Sequence, residues 1–487
     1  MTVPLDTLPA GQRAAFEDAY QLSPMQQGML YDTIQSSRAG MYCIVVAYRI
    51  EGRLDGGRLF DAWRAVLARH PILRTSFHWR DRSEPFQAVH SHVTLPAVEH
   101  DWRGLSPDEQ QRRLTAVLSS ENLKGFDVTT PPLIRLTLIR CAEEIYELVV
   151  AHHHLLLDGS CKPLLFHEVF ACYEDPGQER GHLAKPEPYR RFIEWLAEQD
   201  LESAEPFWRD ELQGFSEPTP LWSAAAADRQ AARDYDEHHL DIDVTITESL
   251  RHFARTNRMT LNTVISGAWA LLIAHANRRD DVVFGATVNA RPASLDGVET
   301  MMGLFINTLP VRVVLSRTSR LGDWLKTIQT RQTTSREYDY TPLPMIRQWS
   351  SVPRRLPLFE SILVFENNPG YGSDSERHGE IEITNARALI QNSLPLTLRC
   401  VPGRRLGIQL LYDTARFSAA TIRGIADGLV RLLTEIPGAA LRPLSHLSAA
   451  LDALERGRNE AQANAFQQAA RGRLTARARG RVRSDQP

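Results

Sequence analysis

The chain has 487 residues, a formal net charge of −3 and 43% hydrophobic residues. That length suits two or three domains with substantial cores, and the near-neutral charge offers no electrostatic case for a nucleic-acid or anionic-membrane partner. Cys43, Cys141, Cys161, Cys172 and Cys400 are odd in number and lack CxxC spacing, and no uninterrupted apolar run would span a bilayer. We therefore expect reduced thiols, a cytoplasmic location, no membrane partner and no metal centre.

Residues 1–20 read as a loose leader. Leu22 to Leu30 then carries a helix start: Ser23 as N-cap, Pro24 at the first helical position, and Gln26 placed to complete a capping box. Gly28 inside this helix costs about 1 kcal/mol relative to Ala, which either close approach of a backbone or ligand, or a simple packing contact, would explain. A strand over Met41 to Ile50 leads through Gly52 and Gly56-Gly57 to a helix whose Leu59, Phe60, Trp63, Val66 and Leu67 share one face. Arg74 stands between Leu73 and Phe77, where a half-buried guanidinium needs a carboxylate. Asp158 is the candidate partner, and a surface Arg is the alternative. Ser106 to Glu109 opens a further capped helix.

Ile134, Leu136 and Leu138 alternate with Arg135 and Thr137, and Ile145 to Val150 is aliphatic and β-branched. Two strands joined at Ala142 to Glu144 follow. The second runs into His152-His153-His154-Leu155-Leu156-Leu157-Asp158-Gly159, beyond which Pro163, Leu165, Val169 and Cys172 mark a helix. Strand alternation puts His152 and His154 on one face and His153 on the other. Histidines that close a buried strand often serve packing alone, but Asp158 and Gly159 at this spacing point to a site. A carboxylate four residues on fixes a loop through an Arg, and Gly admits close backbone approach. An imidazole near its own pKa accepts a proton from an attacking amine or hydroxyl, which outlines acyl-transfer chemistry.

Asp175 to Glu187 is polar with Pro and Gly and reads as an interlobe linker. Tyr189 to Trp195 begins an amphipathic helix, and a second polar, Ala-rich stretch covers Ser223 to Asp234. Leu240 and Ile242 then alternate with acids. Leu250 and Phe253 mark one helix, and Val264, Trp269, Leu272 and Ile273 a longer buried one. Val282 to Val288 is a strand ending at Asn289-Ala290-Arg291-Pro292. Within Gly303 to Arg312, an apolar strand-like run, Asn307 needs hydrogen-bond partners and is either a structural latch or a substrate contact. Leu356 to Phe365 and Arg405 to Leu411 read as strands, and Ile422 to Leu433 as a helix. From Arg456 onward arginines stand among Ala, Gln and Gly, a disordered basic tail by composition.

Taken in order, these segments resemble the condensation domains of nonribosomal peptide synthetases, from about Leu22 to Leu447. Leu22 to Leu30 looks like the family's first core motif, Arg69 to Phe77 its second, and His153 to Gly159 its active-site motif, HHxxxDG. Tyr189 to Trp195, Gly303 to Arg312 and Arg355 to Phe359 are similar to later motifs; the sixth, around Tyr340 to Pro344, is faint. The resemblance implies an α/β fold of two chloramphenicol-acetyltransferase-like lobes forming a V-shaped pseudodimer, with the active site in a tunnel between them. The expected layout is a leader over 1–20, an N-terminal lobe over 21–180, a C-terminal lobe over 188–450 and a tail over 456–487.

The same resemblance makes His154 the catalytic residue, supported by His153, Asp158 and Gly159, with Gly159 beside the passage for a pantetheine arm. Asp158 matches a mainly structural Asp anchored by Arg, so Arg291 joins Arg74 as a salt-bridge candidate. Ser160 and Cys161 stand where the family often has Trp-Ser, and with Asn307 they are candidates for the tunnel wall. Cys161 beside the site invites a covalent mechanism, but no motif supports one. No resident cofactor is implied; the substrate arrives on the phosphopantetheine of a carrier protein. With no adenylation-type Gly-rich loop and no carrier-type Ser site after Leu447, we expect a free-standing enzyme. It would join an acyl or aminoacyl group from a discrete carrier protein to a small-molecule or carrier-tethered amine or alcohol. The alternatives are a coenzyme A dependent acyltransferase of the same fold, whose Asp-Phe-Gly-Trp-Gly signature is absent here, and an inactive recruitment module.

Overall fold

The computed structural model describes residues 15–36, 40–80, 82–175, 183–221, 235–366, 376–389 and 393–460. Its first half holds β1 (Phe16–Gln21), α1 (Pro24–Gln35), β2 (Cys43–Glu51), α2 (Gly56–Arg69), β3 (Thr75–His78), β4 (Phe86–His90) and β5 (Ala97–Asp101). Next come α3 (Pro107–Lys124), the hairpin β6 (Ile134–Ala142) and β7 (Ile145–His153), and α4 (Lys162–Glu174). The second half begins with α5 (Arg190–Ala197), α6 (Leu201–Glu211), β8 (Tyr235–Ile242), α7 (Val244–Thr256), α8 (Leu261–Asn277), β9 (Asp281–Asn289) and β10 (Ile306–Val314). It continues through α9 (Leu321–Ser335), α10 (Leu343–Trp349), β11 (Ser361–Phe365), β12 (Glu376–His378), β13 (Ile381–Leu389), β14 (Leu396–Val401), β15 (Leu406–Asp413) and α11 (Ala419–Glu435).

Local signals act where the sequence places them. Ser23 Oγ accepts from Gln26 N at 3.1 Å while Gln26 Oε1 accepts from Ser23 N at 2.9 Å, closing the capping box of α1. The apolar stripe of α2 buries Leu59, Phe60, Trp63, Val66 and Leu67. α8 is buried from Thr263 to Ala274, as its continuous apolar run requires.

Two six-stranded sheets organise the chain, one in the order β12-β13-β2-β7-β6-β5 and the other β10-β9-β11-β14-β15-β8. A three-stranded sheet, β1-β4-β3, flanks the first. The first sheet is not built from the first half alone: β13 pairs antiparallel with β2, Glu382 opposite Glu51 and Leu389 opposite Val45. The loop before β10 joins the same core, with Met301, Met302, Leu304 and Phe305 packed in one cluster with Trp63, Leu165 and Phe166. Contiguous lobes over 21–180 and 188–450 therefore do not describe the packing, because the second stretch lends two strands and a buried loop to the first.

Four further expectations change. Phe16 to Gln21 is a strand of the small sheet, so the loose stretch expected over 1–20 does not reach residue 20, and residues 1–14 lie outside the described residues. Arg74 is buried as expected, but its carboxylate partner is Glu17, Nη2 to Oε2 at 3.0 Å, with Leu67 O and Ser91 O also accepting from the guanidinium. The two corrections are one: the segment read as loose supplies the acid that Arg74 needs. At the other end, helix continues over 444–460, taking in Arg456 and Arg458, so the tail does not begin at 456. Residues 461–487, 176–182 of the linker and the whole Ala-rich stretch, 223–234, lie outside the described residues. The strand expected from Leu356 starts only at Ser361, since Leu358 and Phe359 are buried as irregular chain in a separate cluster with Trp208 and Trp349.

A methyl group added at Gly28 would meet nothing within 4 Å, so neither a backbone nor a packed side chain accounts for the glycine. Gly28→Ala should raise the free energy of unfolding by roughly 0.5–1 kcal/mol, through lower backbone entropy in the unfolded chain. A denaturant titration checks this, and a destabilised variant would mean that the position is constrained by something other than helix propensity.

Candidate active site

The motif sits where β7 leaves its sheet. His153 N donates to Leu133 O at 3.0 Å, and His154 N donates to Tyr42 O at 2.9 Å. Tyr42 holds a φ of 55°, a strained conformation for an aromatic residue, beside the carbonyl that anchors His154. From the first half, Gln26 Nε2 donates to Leu155 O at 3.0 Å, so the first core motif steadies the loop of the third.

The histidines separate as alternation predicts. His152 and His154 both line a cavity of about 90 Å³, whereas His153 is 1% exposed and faces Thr33 and Phe126. His153 Nδ1 accepts from Leu155 N at 3.2 Å. Burial, reinforced by neighbouring imidazoles, holds His152 and His153 down at about 3, so both are neutral.

His154 is the cavity-lining ring whose Nδ1 is held by a backbone carbonyl. Its Nδ1 lies 2.8 Å from Leu157 O, and because a carbonyl only accepts, Nδ1 carries the proton and Nε2 the lone pair. Burial lowers the pKa of this imidazole, while the Asp158 charge and the Leu157 carbonyl oppose the shift. The base form therefore dominates near neutral pH.

Asp158 is 4% exposed and fully engaged. Oδ2 accepts from Phe305 N at 2.6 Å and Ile306 N at 3.1 Å; Oδ1 accepts from Ser160 N at 2.9 Å and Ser160 Oγ at 2.5 Å. The carboxylate thus ties the motif to the start of β10. Neither expected arginine pairs with it directly: Arg74 is spent on Glu17, and Arg291 reaches it through Ser160, Nε to Oγ at 3.0 Å. The Arg291 guanidinium also lies 3.8 Å over the Phe305 ring and donates to Met301 O at 3.0 Å and Cys161 Sγ at 3.3 Å.

Ser160 and Cys161 are consequently braces. Cys161 Sγ donates to Gly303 O at 3.1 Å, and burial followed by the Asp158 charge pushes its thiol up to about 11, which removes the thiolate a nucleophile would need. Cys161 also lines the cavity, as does Gly159. Asn307 makes the hydrogen bonds of a latch, Nδ2 donating to Asp339 O at 2.7 Å and Thr341 O at 2.8 Å; it is not among the residues lining the His154 cavity but lines a separate pocket with Ser23, Phe192 and Tyr340. Gly303 is required by close approach, since a Cβ there would collide with the Tyr189 ring, whose hydroxyl donates to Leu304 O at 2.7 Å.

The cavity is also lined by residues that the sequence did not mark for a site: Trp63, expected only on an apolar helix face, and Tyr48, Lys162 and Glu366. Glu366 comes from the second half, just past β11, and pairs with Arg399 at 3.0 Å. Its signal was a lone acid closing the run Ile362-Leu363-Val364-Phe365. Lys162 is 3.8 Å from Glu376 and burial lowers its pKa. Among the described residues no group of three or more His, Cys, Asp or Glu is arranged to hold a metal ion, none of the five cysteines forms a disulfide, and no single helix is long and apolar enough to cross a membrane.

Asp158→Ala should unfold more easily by about 3 kcal/mol, because it strands two buried backbone N–H groups and the Ser160 hydroxyl; a variant of unchanged denaturation midpoint would contradict the latch. The neutral histidines set a second expectation. In the unfolded chain His152 and His153 bind protons from about 6.5 downward, in the folded chain only near 3, so stability declines as pH falls through that window. Each contributes a slope of up to about 1.4 kcal/mol per pH unit. Urea titrations between about pH 6.5 and 5, above most carboxylate titration, check the sign, and rising stability there would contradict it.

The Condensation domain family matches residues 16–456. The chain is 38% identical over 445 residues to a linear gramicidin synthase protein of Brevibacillus parabrevis, covering 90% of this chain and 6% of that protein. A second linear gramicidin synthase protein of the same organism is 40% identical over 427 residues, covering 86% and 8%. The chain thus spans less than a tenth of the length of these relatives. In structure it is similar to the starter condensation domain of rhizomide synthetase, with a TM-score of 0.75 at 18% identity over 88% of this chain and 96% of that one. The fold is the two-lobed chloramphenicol-acetyltransferase-like one. A family match from residue 16 to 456, together with relatives at 38 and 40% identity, shows that this chain belongs to the condensation-domain family of nonribosomal peptide synthetases.

Proposed function

We propose that the chain transfers an acyl or aminoacyl group from the phosphopantetheine thioester of a discrete carrier protein to an amine or alcohol, carrier-tethered or free, with His154 as the proton acceptor. Family membership carries the coarse reading, peptide or acyl transfer in nonribosomal synthesis. The observation that supports the finer one is the His154 imidazole: neutral, fixed at Nδ1 by Leu157 O, and lining a cavity. In the transfer, the nucleophile's nitrogen or oxygen attacks the thioester carbonyl carbon and its proton passes to His154 Nε2. The carbon–sulfur bond then breaks, and the pantetheine sulfur leaves as the thiol with that proton. Phosphopantetheine here is part of the substrate, not a resident cofactor. Holding nucleophile and carbonyl in near-attack geometry supplies much of the rate, and a positioned base adds about 10²–10⁴-fold.

His154→Ala should therefore lower kcat/KM for a loaded discrete carrier at least about 100-fold while leaving the denaturation midpoint close to that of the parent. Turnover near the parent's would remove His154 from the chemistry. Acyl-coenzyme A offered in place of acyl-carrier should be the poorer donor, and the reverse preference would favour a coenzyme A dependent enzyme. The lowered pKa of His154 places the acid limb of the pH profile below 6.5, since activity is lost only once the base form is protonated.

A further inference from the structure

The cavity beside His154 has a second end. Ile44, Val46 and Tyr48 alternate along one face of β2, and Ile44 pairs with His152, Val46 with Val150 and, on the other side, with Ala388. All of these except Leu148, the partner of Tyr48, line the same space, so it runs along the sheet from the histidines towards Tyr48. Four residues of strand separate the two levels, about 13 Å. The far end is closed by aromatics: Phe166 stands edge-on to Tyr48 at 4.7 Å between centroids and to Trp63 at 6.2 Å. A chamber closed in this way suits the terminus of a substrate group.

Its walls combine apolar side chains with the polar groups of His152, His154, Asp158, Lys162 and Glu366. Trp63 is wholly buried, and its indole Nε1 has no hydrogen-bond partner among the described residues. A buried donor without an acceptor is costly, and native structures tolerate few. Of the polar groups lining the space, Asp158 is engaged with β10, Glu366 with Arg399 and His154 with Leu157, and His152 stands at the opposite level, beside Ile44. Lys162 lies over the Tyr48 ring at 5.2 Å and is held near Glu376, so it borders the aromatic end with a second donor.

We propose that this aromatic end selects an acyl donor carrying a hydrogen-bond acceptor oxygen on an otherwise apolar stem, and that Trp63 reads that oxygen through its indole N–H. The inference rests on the acyl-transfer reading above and deepens it by naming a donor class. An acceptor oxygen would satisfy the orphan donor, whereas a hydrocarbon of equal length would fill the chamber and leave it unpaired. Discrimination of this kind comes from the site's own unsatisfied group, which makes it larger than a change of one methylene achieves.

The test uses hydrolytically inert acyl-pantetheine amides of medium chain length, each paired with the isostere that has a ketone in place of the methylene next to the terminal methyl. Calorimetric titration of the full chain should show the keto member of at least one pair binding about tenfold more tightly, equivalent to about 1.4 kcal/mol. Trp63→Phe, which keeps an aromatic ring but lacks the N–H, should erase that preference, and Lys162→Met should keep it. In ¹⁵N-tryptophan spectra of the unsubstituted protein, the indole signal absent from Trp63→Phe should move with the keto ligand and not with its isostere. Equal binding within every pair, a preference that survives Trp63→Phe or one lost only in Lys162→Met would overturn the proposal, as would binding of no analogue while a loaded carrier still turns over. Keto-selective binding with no transfer from any carrier would instead leave the recognition standing and overturn the proposed function.

Discussion

The structure depends on one carboxylate. Asp158 is buried, yet both its oxygens are filled by donors, two of them backbone N–H groups of Phe305 and Ile306 and two from Ser160. A buried charge is tolerable only when it is hydrogen-bonded in this way, and backbone donors cannot swing away from it. The result is a clamp between the loop that carries His154 and the chain entering β10, segments almost 150 residues apart. Arg291 completes it at one remove, by donating to Ser160 and stacking on Phe305.

That clamp explains why the two halves are not independent. The Met301 to Phe305 loop is buried in the core of the first sheet, β13 extends that sheet at β2, and Glu366 reaches the His154 cavity from just past β11. The His154 imidazole thus lies in a space whose walls come from both halves. His154 itself is held by two bonds, its N–H to Tyr42 O and its Nδ1–H to Leu157 O, and the Gln26 amide steadies the next residue at Leu155 O. Orientation by backbone carbonyls leaves the tautomer fixed and the second nitrogen open for chemistry.

The parts legible in the sequence were those whose cause is local. A capping box needs only two residues three apart, and strand alternation needs only neighbours, so the start of α1 and the split of His152 and His154 from His153 could be read directly. The partners of Asp158 could not, because backbone N–H groups have no signature in a sequence. Pairing it with Arg74 followed a sound rule, that a buried guanidinium needs an acid, to the wrong acid, since Glu17 belongs to a segment that looks unstructured when read alone. Asn307 was rightly identified as needing partners, and only the fold shows that they are the carbonyls of Asp339 and Thr341. Trp63 read as an apolar face residue, and its unpaired indole emerges only once every acceptor around it has been placed.

The central claim is that His154 is a neutral base with its proton on Nδ1 and its lone pair on Nε2, in a cavity built from both halves. Long-range ¹H–¹⁵N correlation spectra of the histidine rings, recorded across a pH titration and assigned with His154→Ala, read both properties at once. The account predicts the Nδ1–H tautomer for His154 near neutral pH and a titration midpoint below 6.5, because burial disfavours the cation. The Nε2–H tautomer, or a midpoint above 6.5, would contradict it.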